Sequence, residues 1–213
     1  DAYVRYQITR GEGAVDLYPD PSLKTRYVII VKALPSWNPL FYERGVNMAI
    51  PNVRRNPANA LDPNIKGGNY LNNIMGLTEA KEAGADDCIM LNRDGFVTEA
   101  ANSNVWFLIR GRLVTPGSGN LKGLTKKHIH RALSAAGMQR FEEDVHVNEL
   151  LDASECFITS ATREVMPCVS LTLLSGERLE FPVGGGDVTR QTRDIFADYV
   201  ETYISAHAGD TLV

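Results

Sequence analysis

Reactive or ligand-holding side chains fall at usable spacings in several short segments of this chain. In Asp62-Pro-Asn-Ile-Lys66-Gly-Gly-Asn-Tyr70, a single lysine ends an extended stretch directly before a helical pattern. An ordinary surface amine titrates at about 10.4 and is protonated at neutral pH, so a lysine becomes a nucleophile or Schiff-base former only when desolvation or a neighbouring charge frees its lone pair. Tyr70, one turn further on if the helix begins promptly, would bring a phenol to the same place. In Gly95-Phe-Val-Thr-Glu99-Ala-Ala-Asn-Ser-Asn104, an acid sits between two strand patterns among small residues that leave room for a flat ligand. A carboxylate so placed could keep a heterocyclic nitrogen protonated through a charge-assisted hydrogen bond. Gly119-Asn-Leu121-Lys-Gly123-Leu124-Thr125 is a glycine-bearing turn running into a helix, whose free amides and positive dipole end suit an anion such as phosphate. Thr159-Ser160-Ala161-Thr162 places hydroxyls at the end of a strand, where they could complete such an anion cup.

Each segment alone also suits a plainer role. Taken alone, Lys66 reads first as a solvated loop lysine, Tyr70 as a half-buried aromatic at a helix start, and Glu99 as an exposed strand-end acid. Any capped helix resembles the 119–125 segment, and 159–162 reads as a simple turn. His128 and His130, two apart on a helix, face different ways, and His146 and His207 lack ligand-like company, so no metal site is expected.

The elements that must position these groups read as a mixture of strands and helices. Tyr3–Arg10 alternates like a strand, and Arg26–Leu34 has the continuous apolar run of a strand buried on both faces, so the two should pair. A proline-bracketed loop and a short strand at 46–50 follow. A helix is expected over Asn69–Ala83, with Leu71, Ile74, Met75 and Leu77 on its apolar face and Gly84 ending it. Cys88–Leu91, Val105–Ile109 and Leu113–Thr115 read as strands, with a turn at Asn92–Gly95. Thr125–Ala136 reads as a helix with Ile129, Leu133 and Ala136 on one face. An edge strand is expected at 141–145, a short helix at 147–151, a strand at 156–160 and a hairpin of 169–174 with 178–181. Asp187 should cap a closing helix from Val188 to about Ser205. Without strict βαβ alternation, an α+β fold with a barrel-like mixed sheet is expected.

The 213 residues suffice for one or two domains with a sizeable core. With 22 Lys and Arg against 26 Asp and Glu, a net charge of -4, the chain has no basic surplus for a nucleic acid or an anionic membrane surface. Small-molecule chemistry is therefore favoured over nucleic-acid or membrane binding. Apolar runs fall short of the roughly 18 residues a membrane span needs. Cys88, Cys156 and Cys168 are odd in number and widely spaced, as expected of buried thiols in a reducing compartment, and the cytoplasm is the expected location.

Taken together, these segments resemble the class IV aminotransferases, the pyridoxal-phosphate enzymes that include branched-chain and D-amino-acid aminotransferases and aminodeoxychorismate lyase. The resemblance runs from Tyr3 to about Tyr203. It is carried, in the family's order, by Ile65-Lys66-Gly-Gly-Asn-Tyr70-Leu-Asn-Asn, Gly95-Phe-Val-Thr-Glu99 with Asn102-Ser-Asn-Val, Leu121-Lys-Gly-Leu-Thr125, and Phe157-Ile-Thr-Ser-Ala-Thr-Arg-Glu-Val-Met-Pro167. It implies pyridoxal 5'-phosphate as cofactor, held covalently by Lys66, with Glu99 at the pyridine nitrogen and Tyr70 at the phenolic oxygen. Leu121 would lie against the ring. Gly123, Leu124 and Thr125, with Ser160, Ala161 and Thr162, would hold the phosphate. The family often has threonine where this chain has Ala161.

Tyr3 and Arg5 resemble a Tyr-x-Arg pair lining the side-chain pocket of branched-chain enzymes, where the arginine can accept a distal carboxylate. The resemblance thus implies transfer of an amino group between an amino acid, a branched-chain or other L-amino acid being favoured, and a 2-oxo acid. Gln7-Ile-Thr-Arg10-Gly11 also looks like the D-amino-acid and lyase branches, and a cofactor-free scaffold on the same fold is a further alternative. Family members carry a smaller N-terminal domain ahead of the Tyr3 strand, a segment expected to be missing here. On that basis residues 1–34 are strands continuing from that domain, 35–50 a connector and 51–213 the cofactor-binding domain. A homodimer is the expected assembly.

Overall fold

A computed structural model of the chain describes residues 2–210. The outermost positions of the expected segments, residue 1 and residues 211–213, lie outside the described residues. Contacts divide the chain into one unit spanning Asp1–Trp37 and another spanning Asn38–Val213.

The first unit is a two-stranded antiparallel ribbon of β1 (Ala2–Thr9) and β2 (Arg26–Ala33), in register from Ala2 opposite Ala33 to Thr9 opposite Arg26. The expected pairing is present, but the expected burial of the second strand is not. All eight residues of β2 are exposed, Ile29 at 58% and Val31 at 64%. An apolar run states what a strand can bury, and among the described residues of this unit no second layer covers either face of the ribbon.

The second unit is built on a mixed sheet flanked by helices, the α+β arrangement expected. In chain order come α1 (Leu40–Glu43), β3 (Val46–Ala49), α2 (Leu71–Glu82), β4 (Asp87–Leu91), β5 (Val97–Ala100), β6 (Asn104–Ile109) and β7 (Arg112–Thr115). They are followed by α3 (Leu124–Ala135), β8 (Phe141–Glu142), a 3-10 helix (Val147–Asp152), β9 (Ala153–Ser160), β10 (Glu164–Thr172), β11 (Arg178–Glu180) and α4 (Asp187–Ala206). The strand order is β5-β4-β3-β10-β9-β6-β7-β8, with β11 beside β10. The β3–β4, β3–β10 and β7–β8 pairs are parallel, and the rest are antiparallel.

One core cluster packs α3 and α4 on the sheet through Trp106, Leu113, Ile129, Leu133, Phe157, Val165 and Phe196. A second packs α2 through Ala49, Ala80, Ala85, Cys88, Met90 and Ala101, with Leu77 against it. Cys88, Cys156 and Cys168 are buried free thiols, as expected.

Several elements differ from expectation for identifiable reasons. α2 begins at Leu71, five residues beyond Lys66, because Gly67 and Gly68 hold the chain in turns. Of its expected apolar face only Leu77 packs inward, while Leu71, Ile74 and Met75 point outward, 64%, 56% and 51% exposed. Asn73, Gly76 and Ala80 face inward instead. A methyl group added at Gly76 would lie 3.3 Å from both Met90 and Pro51, so the helix approaches the sheet closely through its smallest residue. In α3, Ala132 rather than Ala136 shares the buried face with Ile129 and Leu133. β10 starts at Glu164, earlier than the expected 169, with Pro167 accommodated within it opposite Phe157. Asp187 is the first helical residue of α4 and not its cap. That function falls to Glu155 of β9, whose carboxylate accepts from the amides of Val188 (3.1 Å) and Thr189 (2.7 Å) and from the Thr189 hydroxyl (2.6 Å).

Candidate active site

The loop before α2 is shaped by its own side chains. Asp62 Oδ1 accepts from the Asn64 amide at 2.9 Å, and the Ile65 amide closes a turn on the Asp62 carbonyl at 3.0 Å. Lys66 follows, exposed, with its Nζ donating to the Tyr70 hydroxyl at 3.3 Å. The lysine and phenol therefore meet as expected, but through the Gly67-Gly68 loop rather than a turn of helix, since Tyr70 is the N-cap of α2. No atom would lie within 4 Å of a methyl group added at Gly68, so the loop is open on that side. The Lys122 amide donates to Asn64 Oδ1 at 3.1 Å, which ties this loop to the segment entering α3.

Glu99 lies within β5, a strand buried along its whole length, and not between two strands. It is only 7% exposed. Its Oε2 accepts from the Leu121 amide at 2.9 Å, and its Oε1 meets the Arg55 guanidinium at 2.6 Å. Arg55 is held in turn by Asn73 Oδ1 at 2.9 Å and by its own amide on the Leu91 carbonyl at 2.8 Å. Burial pushes the Glu99 carboxyl up, while the Leu121 amide, the Arg55 guanidinium and the charge of Lys66 pull it back, leaving it raised. Each carboxylate oxygen has two lone pairs, so one bond to each leaves capacity for a further donor.

The segment 116–123 is braced from beneath. Lys126, in the first turn of α3 and 3% exposed, donates to the Pro116 carbonyl at 2.7 Å and pairs with Glu142 at 2.8 Å. Burial pulls its amine down from the usual lysine range. Asn104 donates to the Leu121 carbonyl at 2.9 Å, and a methyl group at Gly123 would sit 2.2 Å from Asn104 Oδ1, so any side chain there would have to displace the Asn104 amide. Gly123 caps α3 without a side-chain hydrogen bond, which leaves the first-turn amides of Leu124 and Thr125 without a helical or capping partner. Leu124 is exposed and Thr125 half-buried.

Asn104 also stands opposite Thr159 in the β6–β9 register. It thereby brings the β9–β10 turn, which carries Ser160, Ala161 and Thr162, beside the start of α3. Ser160 Oγ accepts from the Arg163 amide at 3.3 Å. The sequence-expected residues Lys66, Tyr70, Glu99, Leu121, Gly123, Leu124, Thr125 and Ser160–Thr162 are thus linked within the second unit. Tyr3, half-buried, and Arg5, exposed, lie two apart on β1 of the first unit. Among the described residues, no group of three or more His, Cys, Asp or Glu could hold a metal ion, and no helix is long and apolar enough to cross a membrane.

Sequence reasoning missed Arg55, Asn73, Asp87, Lys126 and Arg163. Arg163 had a signal, a lone arginine in a hydroxyl-rich turn. The others carry no local mark, because the partners that fix them, Glu99, Ala101, Arg163 and Pro116 in turn, lie at least ten residues away in sequence.

Set against known proteins, residues 1–171 match the family described as Amino-transferase class IV. A putative branched-chain-amino-acid aminotransferase of Methanocaldococcus jannaschii is 30% identical over 93% of this chain and 67% of its own length. The fold resembles that of the branched-chain amino acid aminotransferase of Escherichia coli, with a TM-score of 0.84 at 24% identity over 92% of this chain and 65% of that one. An aminotransferase from Brucella abortus, solved bound to the co-factor PLP, gives a TM-score of 0.79 at 24% identity over 94% of this chain and 69% of that one. The chain thus spans about two thirds of each of these proteins.

Proposed function

This chain belongs to the class IV aminotransferase family, and from that premise we propose that it moves an amino group between an L-amino acid, branched-chain side chains being preferred, and a 2-oxo acid. Pyridoxal 5'-phosphate is the cofactor in this reading. The observation that carries it is the joining of distant segments by backbone amides that donate to side chains: the Lys122 amide to Asn64 of the Lys66 loop, and the Leu121 amide to Glu99. The residues present fit the group, since the uncapped α3 amides beside a glycine packed against Asn104 suit a phosphate, and a buried acid backed by an arginine suits a ring nitrogen.

When bound, the cofactor supplies an aldehyde carbon that exchanges amines and a ring that accepts electron density. The chain's residues do the rest. Lys66 would hold the aldehyde carbon through its amine and, as a free neutral amine, would take up on Nζ the proton leaving the substrate α-carbon. Tyr70 would hold the phenolic oxygen, and Leu121 would lie against the ring. Glu99 would keep the ring nitrogen protonated. Gly123, Leu124 and Thr125, with Ser160, Thr162 and the Ala161 amide, would hold the phosphate. Tyr3 and Arg5 are assigned to the substrate side chain, with Arg5 accepting a distal carboxylate. A homodimer is part of the proposal, as is the division into N-terminal strands, connector and cofactor-binding domain. The name of the Methanocaldococcus relative supports the branched-chain preference.

The test is a panel of L- and D-amino donors with 2-oxoglutarate or pyruvate, run on the intact protein and on Lys66→Ala. Turnover of L-leucine, L-valine and L-isoleucine by the wild type and none by the variant is expected. Turnover confined to D-donors would overturn the stereochemical reading, and release of pyruvate without amino transfer would point to a lyase. A fully active Lys66→Ala would overturn the site.

A further inference from the structure

We propose that the buried Asp87–Arg163 ion pair fixes the Ser160–Arg163 turn in the shape that receives the phosphate end of the cofactor, making Arg163 a positioning residue. The inference rests on the site reading above. Arg163 is 8% exposed, and its guanidinium reaches three side chains at once. Nη2 meets Asp87 Oδ2 at 3.2 Å, while Nη1 donates to Ser103 Oγ at 2.7 Å and to Asn102 Oδ1. Its main chain is held as well. The amide donates to Ser160 Oγ at 3.3 Å, and the carbonyl accepts from the Tyr42 hydroxyl at 3.3 Å. Glu164, the next residue, has φ +53, a left-handed conformation that a non-glycine residue keeps only when its surroundings impose it.

Asp87 is 3% exposed, and its Oδ1 accepts from the amides of Cys88 at 2.8 Å and Ala101 at 3.4 Å. Arg163 therefore ties the turn carrying Ser160–Thr162 both to Asp87 at the start of β4, through the ion pair, and to the loop carrying Asn102 and Ser103, through hydrogen bonds. The formal charges of Asp87 and Arg163 cancel, so the pair adds little attraction for a phosphate. What it supplies is shape. Buried ion pairs seldom add net stability over apolar packing, and the role that best accounts for one is the selection of a single arrangement. A lysine at this position could not span Asp87, Asn102 and Ser103 together, because one ammonium replaces a planar fork.

The experiment titrates pyridoxal 5'-phosphate and unphosphorylated pyridoxal into the intact wild type, Arg163→Lys and Asp87→Asn, reading near-visible absorbance. The wild type should favour the phosphorylated aldehyde. Both variants should lose about tenfold or more in affinity for it while changing by less than about twofold towards pyridoxal. Inorganic phosphate should weaken as a competitor by the same factor. Equal losses for both aldehydes, as a general structural defect would give, or no loss for either, overturns the proposal. Ser103→Ala removes one anchor of the fork and keeps the ion pair, so should the other variants not fold, it must show a smaller loss of the same phosphate-specific kind. Its absence also overturns the proposal. A wild type that binds neither aldehyde overturns the site reading itself, and this inference with it.

Discussion

Glu99 holds a carboxylate inside a strand whose neighbours Val97, Thr98 and Ala100 are all buried. Burial raises its pKa, and Arg55 offsets that rise without cancelling it. A carboxyl with a raised folded-state pKa binds its proton more tightly than the unfolded chain does, so its stabilising contribution is present in acid and lost as pH rises through the folded value. Arg55→Met removes the offset and raises Glu99 further. The expected cost at neutral pH is about 3–5 kcal/mol, the usual penalty for stranding one member of a buried pair. Measured by urea unfolding, the deficit should be smaller near pH 5 than near pH 8. A pH-independent deficit would mean that Arg55 acts by packing alone. At this scale, the meeting of Lys66 with Tyr70 was legible in the sequence because their types and spacing are distinctive. Arg55 was not, because an arginine in an irregular loop carries no mark of the buried acid it will meet.

The secondary elements place these residues through their ends and their small side chains more than through their apolar stripes. Helix α2 ends in a paired turn, with Gly84 (φ +84) donating to the Lys81 carbonyl and Ala85 to that of Ala80. Gly137 (φ +71) and Met138 end α3 the same way, on Ser134 and Leu133. The stop at Gly84 was legible. The outward turn of Leu71, Ile74 and Met75 was not, since periodicity identifies an apolar face but not which face meets the sheet, and here the close approach at Gly76 decides. The cap of α4 was hidden for a related reason: Glu155 comes from a strand distant in sequence from the helix whose amides it serves. Glu155→Ala should cost roughly 1–2 kcal/mol, seen as a fall in Tm of about 2–8 °C. Glu155→Gln, which keeps an acceptor oxygen, should recover part of it. An unchanged Tm in the alanine variant would show that Gly186 and Asp187 start the helix unaided.

At the scale of the whole molecule, the candidate site exists only because the sheet order brings distant segments together. β5 lies at one end of that order and β6 towards the other, yet the 101–103 loop joins them, and Asn104 and Glu99 both bond the Leu121 segment. The mixed α+β class was legible from the irregular alternation of strand and helix patterns. The exposure of β2 was not, because its burial depends on a covering layer that the run Tyr27–Val31 cannot specify. On the proposed function, one amine, that of Lys66 in the loop before α2, meets a phosphorylated aldehyde held by Glu99 and the start of α3. Incubation of the intact protein with pyridoxal 5'-phosphate, borohydride reduction and peptide mapping test this. One stoichiometric adduct, on Lys66, is expected, and none in Lys66→Ala. Label spread over surface lysines, or concentrated on another lysine, would contradict it.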